Sequence, residues 1–338
     1  MSTPEHTIHQ HWSGQTILLS YVIAVTGSYS TIQLMEQWRK TEKPVTKLSL
    51  MWLAATTLGG CGIWSMHFTG MQALQMRLED GTLIEVNFEG GMTLLSLLFA
   101  VLGVFVGLLI ASKDPFFLEI ESSRRRELLF NALFSRLWRI LGGGIFAALG
   151  VLAMHYCGMT AQRTNATMTF DSKVVFASSL VALFAASAAF WILFRGLTFW
   201  PHYESLRLGS ALIMGVAVCG THYCGMGAAR YEYSAENMQE RSRFLFSGDS
   251  ASEIASHASL LVSYWLSSFA VVVTLRKEIA SSATSKNGTT AGKSRAGPSM
   301  GNASATHSEH NPHSLYLSAK KIASVVPAPA SPAPKPRA

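Results

Sequence analysis

The apolar residues of this chain are bunched into blocks rather than spread evenly along it. A membrane span needs roughly 20 mostly apolar residues to cross about 30 Å of hydrocarbon. Seven blocks meet that length, at residues 15–38, 48–71, 92–112, 137–159, 174–194, 207–226 and 258–275. The pattern predicts an all-α, polytopic membrane protein with about seven transmembrane helices. The first block has neither a basic run ahead of it nor a small-residue cleavage site, so it reads as a span and not as a cleaved leader.

Composition supports this reading. Hydrophobic residues make up 49% of the chain and charged residues only 14%, against about a quarter charged in an ordinary soluble domain. The formal charge of +7 does not imply a nucleic-acid partner, because the basic residues fall at block ends and in the C-terminal region. Segments after spans one, three and five are rich in them, from Arg39, Lys40, Lys43 and Lys47 to Arg124–Arg126, Arg195 and Arg207. The alternate segments hold fewer, and Glu79, Asp80, Glu85 and Glu89 offset them. The positive-inside rule then places the N-terminus outside and the C-terminus in the cytoplasm. With no other address legible, the plasma membrane is the expected location.

Three regions follow. Residues 1–14 form an extracytoplasmic segment, with His6, His9 and His11 read as solvated. Residues 15–275 form the membrane domain. Residues 276–338 form a basic tail rich in Ser, Ala, Pro and Gly, read as disordered. Residues 116–138 read as an amphipathic helix at the cytoplasmic surface. Gly103 and Gly107 in span three, and Gly142–Gly144 in span four, are expected to let helices approach closely.

One hexapeptide recurs three times, at the end of every even-numbered span. The copies are Met66-His67-Phe68-Thr69-Gly70-Met71, Met154-His155-Tyr156-Cys157-Gly158-Met159 and Thr221-His222-Tyr223-Cys224-Gly225-Met226. Within each copy the His and the final Met are four residues apart and share a helix face. The intervening Gly admits another backbone or a ligand. If the three helices face one axis, three His and three Met converge in one layer, with Met66, Met154, Cys157 and Cys224 near enough to assist. Imidazole, thioether and thiolate form a soft donor set that favours copper, above all Cu(I). Haem held by two of the histidines is the alternative cofactor. Packing alone is the bland reading of these residues. The two cysteines can be ligands, a disulfide or buried thiols.

At these residues the sequence resembles the MHYT domain family, named for a Met-His-Tyr-Thr motif repeated in alternate transmembrane helices. The resemblance covers roughly residues 10–275. It implies a seven-span membrane sensor that binds copper near its outer face and senses oxygen, carbon monoxide or nitric oxide. It makes His67, Met71, His155, Met159, His222 and Met226 the candidate ligands. The third copy departs by opening with Thr221, and the second and third have cysteine where the first has Thr69.

No Walker loop, dinucleotide fingerprint, catalytic triad or paired intramembrane carboxylate is present, so no enzymatic activity is expected. The sparse acidic residues within spans also count against a proton-coupled transporter, although a copper transporter or channel stays open through Met214, Cys219 and Cys61. Family members often continue into a cytoplasmic signalling domain. Here only the basic tail follows span seven, so a signal is expected to leave through the tail or an unknown cytoplasmic partner.

Overall fold

The computed structural model describes residues 8–114, 133–199, 203–234 and 245–293. Seven helices in it are long and apolar enough to cross a bilayer. They are α1 (Gly14–Arg39), α2 (Pro44–Met71), α3 (Gly90–Ala111), α4 (Trp138–Thr160), α5 (Ser172–Gly196), α6 (Glu204–Met226) and α7 (Gly248–Lys293). The seven predicted spans match these within a few residues at most ends. The exception is α7, which starts ten residues before the predicted 258 and continues 18 beyond 275. The chain divides into two compact units, Met1–Ile279 and Ala280–Ala338. The first holds the bundle, and the described part of the second is the end of α7. The expected surface helix at 116–138 falls largely outside the described residues, as does the tail after 293.

Small residues bring α3 and α4 close together. A Cβ on Gly103 of α3 would lie 2.5 Å from the Cα of Gly150 on α4, and one on Gly107 would lie 2.6 Å from the Gly143 carbonyl oxygen. The predicted close approach at Gly103 and Gly107 is therefore made against α4. Around the bundle, Leu98, Phe184, Val216 and Trp265 are exposed apolar side chains, the surface that a lipid bilayer covers.

Two features of the helices were not foreseen. Residues Thr56–Trp64 of α2 form a π-helical stretch immediately before the first motif copy. Its Thr-Leu-Gly-Gly-Cys-Gly run permits the wider winding, and π-segments are commonly found at functional sites. Side chains from nearby supply bonds to its carbonyls: Ser65 Oγ donates to Gly60 O at 3.1 Å and Ser259 Oγ donates to Cys61 O at 2.8 Å.

The second concerns Arg195, which the sequence places among the loop charges. It lies instead in a π-helical turn at the end of α5 (Ile192–Gly196) and is fully buried. Its Nε and Nη2 donate to the two carboxylate oxygens of buried Asp114, each at 2.9 Å. Nη2 also donates to Ser135 O at 3.1 Å. This forked pair fastens the end of α3 to α5, and it removes Arg195 from the free charges that could set orientation.

Short strands cover the other end of the bundle, where the motifs lie. Strand β1 (His9–Trp12) pairs with β2 (Leu74–Arg77). Strand β3 (Asn87–Glu89) lies between β4 (Gln162–Arg163) and β7 (Leu245–Ser247), and β5 (Ala166–Phe170) pairs with β6 (Ala229–Tyr233). All pairings are antiparallel. They join the N-terminal segment and the connections after α2, α4 and α6 into a cap. Residues 9–12 are thus strand, with His9 and His11 exposed as expected.

Candidate metal centre

Each motif copy occupies the last turn of its helix, so the three histidines stand at one depth. They meet. His67, His155 and His222 are 0%, 3% and 3% exposed. The Nδ1 atom of His67 lies 3.0 Å from that of His222 and 3.2 Å from that of His155. The rings are edge-on to one another, with centroids 4.9–5.5 Å apart. This is the one group of three or more His, Cys, Asp or Glu side chains, among the described residues, placed to hold a metal ion.

The motif glycines explain how three imidazoles fit in this space. A Cβ on Gly158 would stand 2.4 Å from His67 Nε2. One on Gly225 would stand 2.3 Å from His155 Nε2, and one on Gly70 would stand 2.5 Å from His222 Nε2. Each imidazole therefore occupies the place of a missing side chain in another copy. The first His sits on the second Gly, the second His on the third Gly, and the third His on the first Gly. The ring closes. The sequence suggested another backbone or a ligand in the space beside each glycine; a histidine side chain of another copy fills it instead.

Proton bookkeeping shows what this arrangement lacks. Each neutral imidazole carries one ring proton. With all three protons on Nε2, three Nδ1 lone pairs point at one another. With a proton on His67 Nδ1, one neighbour can accept it and the other is left facing an N–H. All three Nε2 atoms are buried without a partner in hydrogen-bond geometry. A buried polar group left unsatisfied costs about 1–3 kcal/mol. A cation among the three Nδ1 atoms would take up the three lone pairs that otherwise face one another, with each ring proton left on Nε2. Imidazole nitrogens about 2.0–2.1 Å from a shared ion stand roughly 3.3–3.6 Å apart, close to the 3.0 and 3.2 Å here. The donor set fits a metal ion.

The other candidate ligands divide into groups. Met71, Met159 and Met226 are buried together in one apolar cluster with Phe68 and Phe88, next to the cap. By helix rise they sit one turn, about 6 Å, beyond the histidine layer. Met66 packs in a second cluster with Ile23, Ala24 and Cys219, and Met154 in a third, deeper in the bundle. Cys157 is half-buried, with Sγ 3.5 Å from the Met92 carbonyl oxygen, and Cys224 is exposed. All four cysteines are unpaired. The structure thus brings the three histidines into contact and the three final methionines into one cluster, while Met66, Met154, Cys157 and Cys224 point into separate surroundings.

Residues beyond the motif hold its aromatic positions. Phe68, Tyr156 and Tyr223 each pack edge-on against the histidine that precedes them. Tyr223 Oη and Ser20 Oγ on α1 are 2.9 Å apart, and Tyr156 Oη and Ser178 Oγ on α5 are 2.8 Å apart. Phe68, which has no hydroxyl, packs on Phe88 of β3. Lone serines in apolar spans carry no signal of this role.

Comparisons with known proteins agree with the motif. Residues 60–120 and 149–203 match the sequence profile of the MHYT family, described as a bacterial signalling protein N-terminal repeat. The chain is 31% identical over 216 residues to the bifunctional diguanylate cyclase/cyclic di-GMP phosphodiesterase MucR of Pseudomonas aeruginosa, covering 64% of this chain and 27% of that protein. It is 31% identical over 228 residues to the signalling protein YkoW of Bacillus subtilis, covering 66% and 25%. It is 26% identical over 220 residues to the cyclic di-GMP phosphodiesterase NbdA of P. aeruginosa, covering 64% and 24%. The chain thus spans about a quarter of the length of these relatives. No solved structure matches it. The chain thus carries MHYT repeats over the first two motif copies, and a third copy of the same motif ends α6.

Proposed function

We propose that the bundle is a non-enzymatic sensor whose His67, His155 and His222 bind one copper ion, and that its signal is a diatomic gas or the redox state of that copper. The observation that carries this reading is the convergence of three buried Nδ1 atoms, one from each copy, with each imidazole seated on another copy's glycine. Copper bound there would supply a centre that takes up a small ligand or changes its charge. The chain's own residues do the rest. The histidines link the ends of α2, α4 and α6, so a displacement at one is passed to two other helices through contacts that have no slack. Met71, Met159 and Met226 exclude water from the cap side and offer thioethers within one turn.

Haem is the poorer fit, because rings 4.9–5.5 Å apart between centroids leave no room for a macrocycle among them. Transport is also less well supported, since Met214 and Cys61 belong to other surroundings than the triad. We place the cap on the outer side of the plasma membrane and the output on the cytoplasmic side, through the tail or a partner protein.

The test is metal content and optical spectrum of the detergent-purified protein beside its His67→Ala/His155→Ala/His222→Ala variant. The reading expects about one copper per chain, lost in the variant while helical circular dichroism is kept. A haem absorption band, or no copper under reducing and copper-replete conditions, would overturn it.

A further inference from the structure

An apolar cavity of about 50 Å³ lies in the bundle, lined from α2, α3, α4, α5 and α6. Three of its lining residues are Ile63, Val151 and Val218. Each stands four residues before a motif histidine, so each faces the same axis one helical turn, about 6 Å, below the triad. The walls farther down are mostly alanines of α5, Ala186 among them, with Phe190. The one hydroxyl in the lining, Thr221, already donates to the Ala217 carbonyl oxygen at 2.9 Å.

Water occupies a cavity when it finds two to four polar partners, and on this measure it needs about 10–15 Å³. The volume here is sufficient, but the lining is almost wholly apolar and its one hydroxyl is already engaged, which favours an apolar occupant over water. Dry apolar cavities take up small apolar molecules such as xenon. Apolar gases also leave water for hydrocarbon, so a cavity within the membrane layer draws on an enriched supply.

We infer that this cavity is a holding site for a diatomic apolar gas, from which the gas reaches the triad between Ile63, Val151 and Val218. The inference rests on the gas-sensing reading of the triad, but the cavity needs no metal in order to fill. Its size admits one or two diatomic molecules and excludes a drug-sized ligand. The alanines of α5 keep it open, and a larger side chain at Ala186 would fill it.

Xenon-pressurised crystals of the full chain test the site without copper. The expected result is a xenon peak bounded by Ile63, Val151 and Ala186 in the wild type and in His67→Ala, absent in Ala186→Leu. Ala217→Val serves the same purpose should Ala186→Leu fail to fold. No xenon in the wild type, an equal peak in the filled variant, or density for an acyl chain or detergent in the cavity would each overturn the holding site. For delivery, the copper-loaded Ala186→Leu protein should bind carbon monoxide at least tenfold more slowly at unchanged copper content, and an unchanged rate would refute that part. A protein that holds xenon but no copper would sink the copper reading and leave the cavity assignment standing.

Discussion

Gly158 offers the sharpest perturbation of the triad, because the change is one methyl group that touches no candidate ligand chemically. In Gly158→Ala the new Cβ would stand 2.4 Å from His67 Nε2, with Cε1 at 3.4 Å and Cδ2 at 3.0 Å. Ordinary contact begins near 3.4 Å, so the His67 ring must move by about 1 Å. Metal–ligand distances tolerate about ±0.2 Å. A 1 Å shift in one of three ligands exceeds that several-fold. It would also break the two Nδ1 contacts at 3.0 and 3.2 Å. Overpacking of this kind costs typically 1–3 kcal/mol, and disturbing the support of a metal ligand typically lowers affinity 10–100-fold. The assay is competition for Cu(I) against a chelator of known affinity, with thermal unfolding in the same detergent. Gly220→Ala is the control, since a Cβ there meets nothing within 4 Å and the change slightly favours helix. A folded Gly158→Ala protein that holds copper like the wild type would refute both the tight seat and its role in setting the site.

Four further outcomes follow from the same structure. Asp114→Asn should destabilise the bundle by about 3–5 kcal/mol by removing the carboxylate charge that faces the buried Arg195 guanidinium, seen as a large loss in thermal stability without direct loss of copper; a shift within experimental scatter would mean the pair bears no such burden. Gly103→Val should separate α3 from α4, because its Cβ would fall 2.5 Å from Gly150 Cα, and unaltered unfolding would refute that crossing. Tyr223→Phe should lose the bond to Ser20 at about 1 kcal/mol, with a smaller effect on copper than any triad substitution; copper loss equal to that of His222→Ala would show that Tyr223 acts on the metal directly. Glu89 caps α3, and the N–H groups of Met92 and Gly91 hold its carboxyl below the ordinary value of 4.5. Its contribution is complete above about 4.5 and is lost as pH falls through the lowered folded value. Glu89→Gln should therefore be less stable at neutral pH and converge with wild type in acid, and parallel pH curves for the two proteins would contradict this.

Much of this architecture was legible because hydropathy acts locally. Twenty apolar residues announce a span wherever they occur, and three identical His-to-Met spacings announce a shared layer. Contacts between distant residues announce nothing. Asp114 and Arg195 are 81 residues apart, and each alone reads as a charge at a helix end. The seating of His67 on Gly158 joins residues 91 positions apart on two helices, and a glycine in a sequence does not say which side chain will fill the space beside it. The cap strands were missed because they are two to five residues long, too short for alternation to stand out. The π-helical stretch in α2 was missed because its residues keep the apolar character of a span while changing only the winding. The seventh span was started ten residues late because Asp249, Glu253 and His257 interrupt its apolar character, while its end at 275 lies within two residues of the apolar span's end at Val273.

The central claim is that one copper ion is shared by a histidine from each motif copy. X-ray absorption of the Cu(I)-loaded protein, beside the same protein carrying His67→Ala/His155→Ala/His222→Ala, addresses it most directly. The account predicts a first shell of three imidazole nitrogens at about 2.0 Å, the distance usual for imidazole on a first-row metal, with a sulfur scatterer as the only permitted addition. The substituted protein should hold no ordered copper. A shell of sulfur and oxygen alone, or the same copper signal in both proteins, would contradict the account.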